Sequence, residues 1–189
     1  MRHPASAFLV LLLLLGCGQD RSRPEPAAAL TQQDADPEAR LQALGITLPS
    51  PPDPVANYVR SVRTGNLVFL AGHGPLKPEG GYVTGKVGQD LTLEEGKEAA
   101  RLTAIALLAS LKAEIGDLNK VRRIVKVTGM VNTTADFTEQ PQVINGFSDL
   151  MVEVFGAERG KHARSAVGMA SLPINIAVEI EMVVEVADS

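Results

Sequence analysis

The stretch LTLEEGKEAARLTAIALLASLKAEIG, residues 91–116, limits the possible folds more than any other part of the chain. Thr92 stands where a helix N-cap belongs, Glu94 and Glu95 fall in the first turn, where the helix dipole favours acid, and Gly116 offers a stop. Leu93, Ala100, Ala104, Leu107, Leu108 and Leu111 recur at helical spacing and make one apolar stripe. A long helix with one such stripe has to bury it against a second layer, and the segments around it are strand-like.

Before the helix, NYVRSVRTGNLVFLAGH alternates and then turns continuously apolar around Thr64-Gly65-Asn66. This predicts a hairpin with strands near 57–63 and 66–71, and a third short strand is expected near 82–85. After the helix, KVRRIVKVTGMVNTT alternates through 121–131 and reads as a strand with one wet face, where Arg122 and Lys126 are solvated. QPQVINGFSDLMVEVFG supplies a second helix, with Val143, Phe147, Leu150, Met151 and Val154 as its apolar side. HARSAVGMASL and NIAVEIEMVVEV then give two strands linked by a turn at Pro173. The order is strands, helix, strand, helix, two strands, an α+β layer with two helices on one face of a mixed β-sheet. The other sheet face needs a cover, because several apolar strands left bare would expose a patch of several hundred Å². Association into a cyclic homo-oligomer with the sheets facing inward would supply it, with strand residues near the clefts between subunits.

A chain of 189 residues, 45% hydrophobic and 21% charged, fits one globular domain with additions. A net charge of −4 gives no basic field for a phosphate backbone, and 4% aromatics with no Trp leave little to stack on bases, so no nucleic acid is expected as a partner. One cysteine, Cys17, excludes an internal disulfide and a thiolate metal cage.

Cys17 closes MRHPASAFLVLLLLLGC, in which Arg2 forms a positive start and eight residues, 8–15, form an apolar run. Such a run is too short to cross about 30 Å of hydrocarbon as a helix. Residues 1–17 resemble a bacterial lipoprotein signal whose lipobox ends at Leu14, Leu15, Gly16 and Cys17. The resemblance implies export, lipidation of Cys17 and anchoring to the cell envelope, on the periplasmic face if the source has two membranes. An ordinary secretory peptide with a chance Cys is the alternative. Acyl chains hold a protein on a membrane by about 0.8 kcal/mol per buried CH₂. Residues 18–54 form a flexible tether and N-terminal arm, rich in Pro, Ala, Gln and Asp at first and then carrying a short helix from 37 to about 44 ended by Gly45. The globular domain spans 55–189.

Four runs, NYVRSVRTGNLVFLAGHGPL, GKVGQDLTLEEGKEAARLTA, KVTGMVNTTADF and HARSAVGMASLPINIAVEIEM, together resemble the RidA family, also called YjgF or L-PSP proteins, across roughly 55–186. The chain looks like a divergent branch of it. The resemblance implies a chorismate-mutase-like α+β fold, a homotrimer with intersubunit clefts and no cofactor. It also implies hydrolysis of reactive 2-imino acids to 2-keto acids and ammonia. The alternative is a non-catalytic trimer that binds a small carboxylate. By the family motif, the carboxylate-binding Arg falls on Arg164 and the Glu beside the attacking water on Glu179, fifteen positions later, with Leu172 and Pro173 between. The cleft Tyr falls on Tyr58, and a backbone contact to substrate falls on Ala166. Two departures stand out. The family commonly reads Arg-Ser-Cys-Val-Glu where this chain has Arg164, Ser165, Ala166, Val167 and Gly168, and His73 replaces a usual Gln.

Each assignment has a plainer reading from the residues alone. Arg164 could be an ion-pair partner and Tyr58 a packed interface aromatic. Glu179 shares a face with Glu181, and either could be a solvated edge carboxylate. His73 and His162 read as surface or interface residues, and three scattered His give no metal-binding pattern. GHGPLKPEGG lacks the Lys-Ser/Thr ending of a phosphate cradle and reads as a loop.

Overall fold

The computed structural model describes residues 36–51, 53–54 and 56–188. The leader, Cys17 and the tether up to residue 35 lie outside the described residues. Helix α1 spans Pro37–Ala43, with Asp36 as N-cap accepting from the Glu38 amide at 2.9 Å. It docks on the domain through buried Leu41, and the ion pair of Glu38 with Lys112 at 2.7 Å closes over it.

Strands β1, Ser61–Thr64, and β2, Leu67–His73, form the expected antiparallel hairpin about Gly65. Strand β1 is shorter than its alternation suggests, because the chain bends over residues 56–58, where the Tyr58 amide donates to the Ala56 carbonyl at 2.9 Å. The short strand expected near 82–85 is absent, and only single bridges join Leu76 to Tyr82 and Thr84 to Ile176. Gly80, Gly81 and Gly85 all take positive φ there, which interrupts extended backbone.

Helix α2, Leu93–Ile115, begins in a capping box in which the Thr92 hydroxyl accepts from the Glu95 amide and the Glu95 carboxylate accepts from the Thr92 amide. Strand β3, Val121–Asn132, leads to helix α3, Gln140–Gly160, whose regular turns break at Gly156 with φ 77°. Strand β4, Ala163–Met169, runs parallel to β3, a single turn of 3₁₀ helix spans Pro173–Asn175, and β5, Val178–Val186, closes the chain.

The sheet order is β1-β2-β5-β3-β4, mixed, with β5 antiparallel to both of its neighbours and β4 at one edge. Both long helices cover one face, as the apolar stripes require. Phe147, Leu150 and Met151 of α3 and Leu107, Leu108 and Leu111 of α2 are fully buried, and each contributes about 1.5–3 kcal/mol. The helices cross closely at Gly146, where a side chain would run into the Lys97 carbonyl. The other sheet face has no layer over it among the described residues. Val62, Phe69 and Val167 stand 55%, 43% and 42% exposed there.

Candidate functional site

Alternation along the sheet sorts the expected site residues onto two faces. Val127 is fully buried against the helices, and its partner Arg164 is therefore on the helix side of the edge strand β4. Met130, three residues on, points the other way and pairs with Glu179, so that carboxylate belongs to the open face. One chain cannot bring Arg164 and Glu179 to the same small ligand.

Glu179 and Tyr58 do share a place. They line a cleft of about 480 Å³ with Gly72, His73 and Ile174. Strand β2 shifts register between Leu70 and His73, and this irregularity carries Gly72 under Glu179. A Cβ on Gly72 would fall on the Glu179 carboxylate, so the absence of a side chain is what lets the acid lie against the strand. Burial, and secondly the charge of Glu181, push the Glu179 carboxyl above its ordinary range. Such an acid can take up and return a proton nearer neutrality than a surface Glu.

The same irregularity turns His73 inward. It was expected at the surface or an interface, yet it is only 7% exposed. Its Nδ1 lies 2.7 Å from the Ala71 carbonyl and its Nε2 lies 2.7 Å from the Ser110 hydroxyl. A proton on Nδ1 satisfies both contacts, with Ser110 donating to Nε2. Burial lowers the His73 pKa, against the pull of the Ala71 carbonyl, and the charge of Arg60 adds to the lowering.

Arg164 is held by α3. Its Nη1 donates to Asn145 Oδ1 and to Ser148 Oγ, each at 2.9 Å, and its Nη2 donates to the Pro141 carbonyl at 3.3 Å. Among the described residues Nε has no acceptor, which leaves its N–H for a ligand. Ser148 also lies 3.1 Å from His162 Nε2, and His162 Nδ1 lies 2.7 Å from the Gly160 carbonyl. Half-buried His162 packs edge-on against Phe147, with ring centroids 5.8 Å apart. Burial lowers its pKa, the Gly160 carbonyl opposes this, and the Arg164 charge reinforces it. A guanidinium held in place through Nη1 and Nη2, with Nε still unbonded among the described residues, keeps donors for a carboxylate.

Ala166 pairs with Gly129 and rests against the core, so it offers a ligand its backbone rather than its side chain. Gly168 itself is exposed, but a Cβ there would meet two side-chain atoms, Gln140 Nε2 at 2.8 Å and Thr133 Oγ1 at 2.9 Å. A carboxylate at this position would need both neighbours to move. Sequence reading missed Asn145 and Ser148, although Pro141, Asn145 and Ser148 are spaced along one flank of a helix. It also missed the His73 and Ser110 pair. Among the described residues no helix is long and apolar enough to cross a membrane, and no cluster of three or more His, Cys, Asp or Glu could hold a metal ion.

Comparison with known proteins follows the same lines. Residues 38–186 match the model of the YjgF/chorismate mutase-like family, whose description adds a conjectural endoribonuclease assignment. Protein TCP17 of Trypanosoma cruzi is 46% identical over 147 residues, covering 78% of this chain and 92% of that protein. The 2-iminobutanoate/2-iminopropanoate deaminase of Escherichia coli K12 is 30% identical over 132 residues, 70% of this chain and 89% of the enzyme. The crystal structure of Atu1372 from Agrobacterium tumefaciens, of unknown function, superposes with a TM-score of 0.73 at 43% identity, covering 83% of this chain and 96% of that one.

Proposed function

The chain belongs to the YjgF/chorismate-mutase-like, or RidA, family, and from that membership we propose that it hydrolyses 2-imino acids to 2-keto acids and ammonia in clefts between the subunits of a homotrimer. The observation that carries this reading is the separation of the two half-sites. Arg164 lies on the helix side of the edge strand and Glu179 on the open face, so a shared ligand requires two copies of the chain. The exposed apolar face supplies a surface for that association.

In the proposed cleft the Arg164 guanidinium binds the substrate carboxylate and fixes its orientation. Water attacks the protonated imine carbon, a C–O bond forms, and the C=N π pair moves to nitrogen. The Glu179 carboxylate takes the proton that water releases and returns it to the nitrogen. The C–N bond then breaks, the hydroxyl gives up its proton as C=O forms, and ammonia leaves as ammonium. The raised affinity of Glu179 for a proton suits this shuttle. Tyr58, half exposed at the mouth, covers the ligand.

Addition of the purified protein to an amino-acid oxidase reaction should speed release of the 2-keto acid, and Arg164→Ala should abolish the acceleration. Equal rates with wild type and Arg164→Ala would remove the reading. The absence at Gly168 of the carboxylate that the family motif carries there favours a second one: the trimer would bind a small carboxylate through Arg164 without turnover. In that case Arg164→Ala loses affinity and no reaction is seen with either chain.

We further propose export and lipid anchoring at Cys17, supported by the short apolar run and the Leu-Leu-Gly-Cys sequence that ends it. Mass analysis of the native N-terminus should find acylated Cys17. An unmodified soluble chain would end that idea.

A further inference from the structure

Among the described residues other than glycine, two adopt positive φ, and they are adjacent: Ile174 at φ 47° and Asn175 at φ 59°. Asn visits this region readily, whereas a β-branched residue there is an outlier held in place by its surroundings. The holding groups are identifiable. The Asn175 carbonyl accepts from the Gly85 amide at 2.9 Å, and its side-chain oxygen accepts from Asn132 Nδ2 at 2.9 Å. Asn132, fully buried at the end of β3, also donates to the Ile176 carbonyl at 3.2 Å and accepts from Lys86 Nζ at 3.0 Å. The turn between β4 and β5 is thereby pinned to the end of β3.

The pinning gives the Ile174 side chain almost no packing of its own. It is 72% exposed, more than any other large apolar side chain among the described residues. An unfavourable backbone conformation that leaves its apolar side chain in water gains nothing for this chain's own core. What it achieves is placement: Ile174 stands on the wall of the cleft that holds Glu179 and Tyr58, beside the apolar surfaces of Leu76, Tyr82 and Ile176.

We propose that Ile174 is the specificity-determining residue of the cleft, and that it selects 2-imino acids with apolar side chains by packing against them. The proposal rests on the reading of this cleft as the ligand site. An acidic side chain would bring a second carboxylate against an apolar wall and next to Glu179, so imino acids derived from acidic amino acids are disfavoured.

The test measures binding of product acids, which does not depend on turnover. The full-length protein is titrated with pyruvate, 4-methyl-2-oxopentanoate and 2-oxoglutarate, as wild type, Ile174→Leu, Ile174→Gly and Ile174→Asn. Wild type should bind the branched acid at least about tenfold more tightly than pyruvate and should bind 2-oxoglutarate most weakly. Ile174→Leu should keep that order. Ile174→Gly and Ile174→Asn, which both suit positive φ, should compress the ratio to about threefold or less through weaker binding of the branched acid. Their thermal midpoints should equal or exceed that of wild type, which separates loss of selectivity from loss of fold. An unchanged ratio in Ile174→Gly, or no chain-length preference in wild type, overturns the proposal. Selective binding without deamination would instead sink the proposed reaction and leave the role of Ile174 standing, whereas binding of none of the acids defeats both.

Discussion

Glu179 illustrates how one residue is tuned by what lies beneath it. Its carboxylate rests where a side chain on residue 72 would be, half-buried and near Glu181, and both burial and that like charge favour its protonated form. The linkage has a definite sign. A carboxyl that binds its proton more tightly in the folded state contributes stability below the usual 4.5, and that contribution is lost as pH rises through the raised value. Ionised Glu179 therefore weighs against the fold at neutral pH. Glu179→Gln, which cannot ionise, should raise the thermal midpoint relative to wild type at pH 7, and the gain should shrink steadily as the pH is lowered to 4. Thermal scans across that range check it, and a difference that stays constant with pH would show that the ionisation of Glu179 is not what destabilises the site. The same substitution should remove turnover, because the amide cannot carry the proton.

At the scale of elements, legibility followed local chemistry. Helix α2 lies where its cap, acidic first turn and closing glycine place it, because each signal acts within one turn of the chain. The alternation of β5 was equally plain, since a strand between a helix layer and an open face has to alternate, whereas two register shifts against β5 break it in the first half of β3. The shorter β1 and the absent strand near 82–85 depended on a bend at residues 56–58 and on three glycines at positive φ, and apolar periodicity does not register these. His73 escaped for a related reason. Its inward turn comes from the register shift of β2, and its partner Ser110 lies 37 positions away on α2. The polar flank of α3 that holds Arg164 was present in the sequence, but only the parallel pairing of β4 with β3 shows that this strand returns beside it.

For the whole molecule, the family motif named Arg164 and Glu179, and the fold shows that a single copy presents them on opposite sides of its sheet. That separation makes the composite cleft the central claim, and subunit mixing tests it most directly. Chains carrying Arg164→Ala and chains carrying Glu179→Gln should each be inactive alone in the keto-acid release assay. When the two are co-assembled in equal amounts, about one cleft in four should combine an intact Arg164 from one copy with an intact Glu179 from another, and activity should return to about a quarter of wild type. If the mixture stays as inactive as either parent while co-assembly is verified by mass, Arg164 and Glu179 do not act on one substrate across a subunit boundary, and the account given for this cleft is wrong.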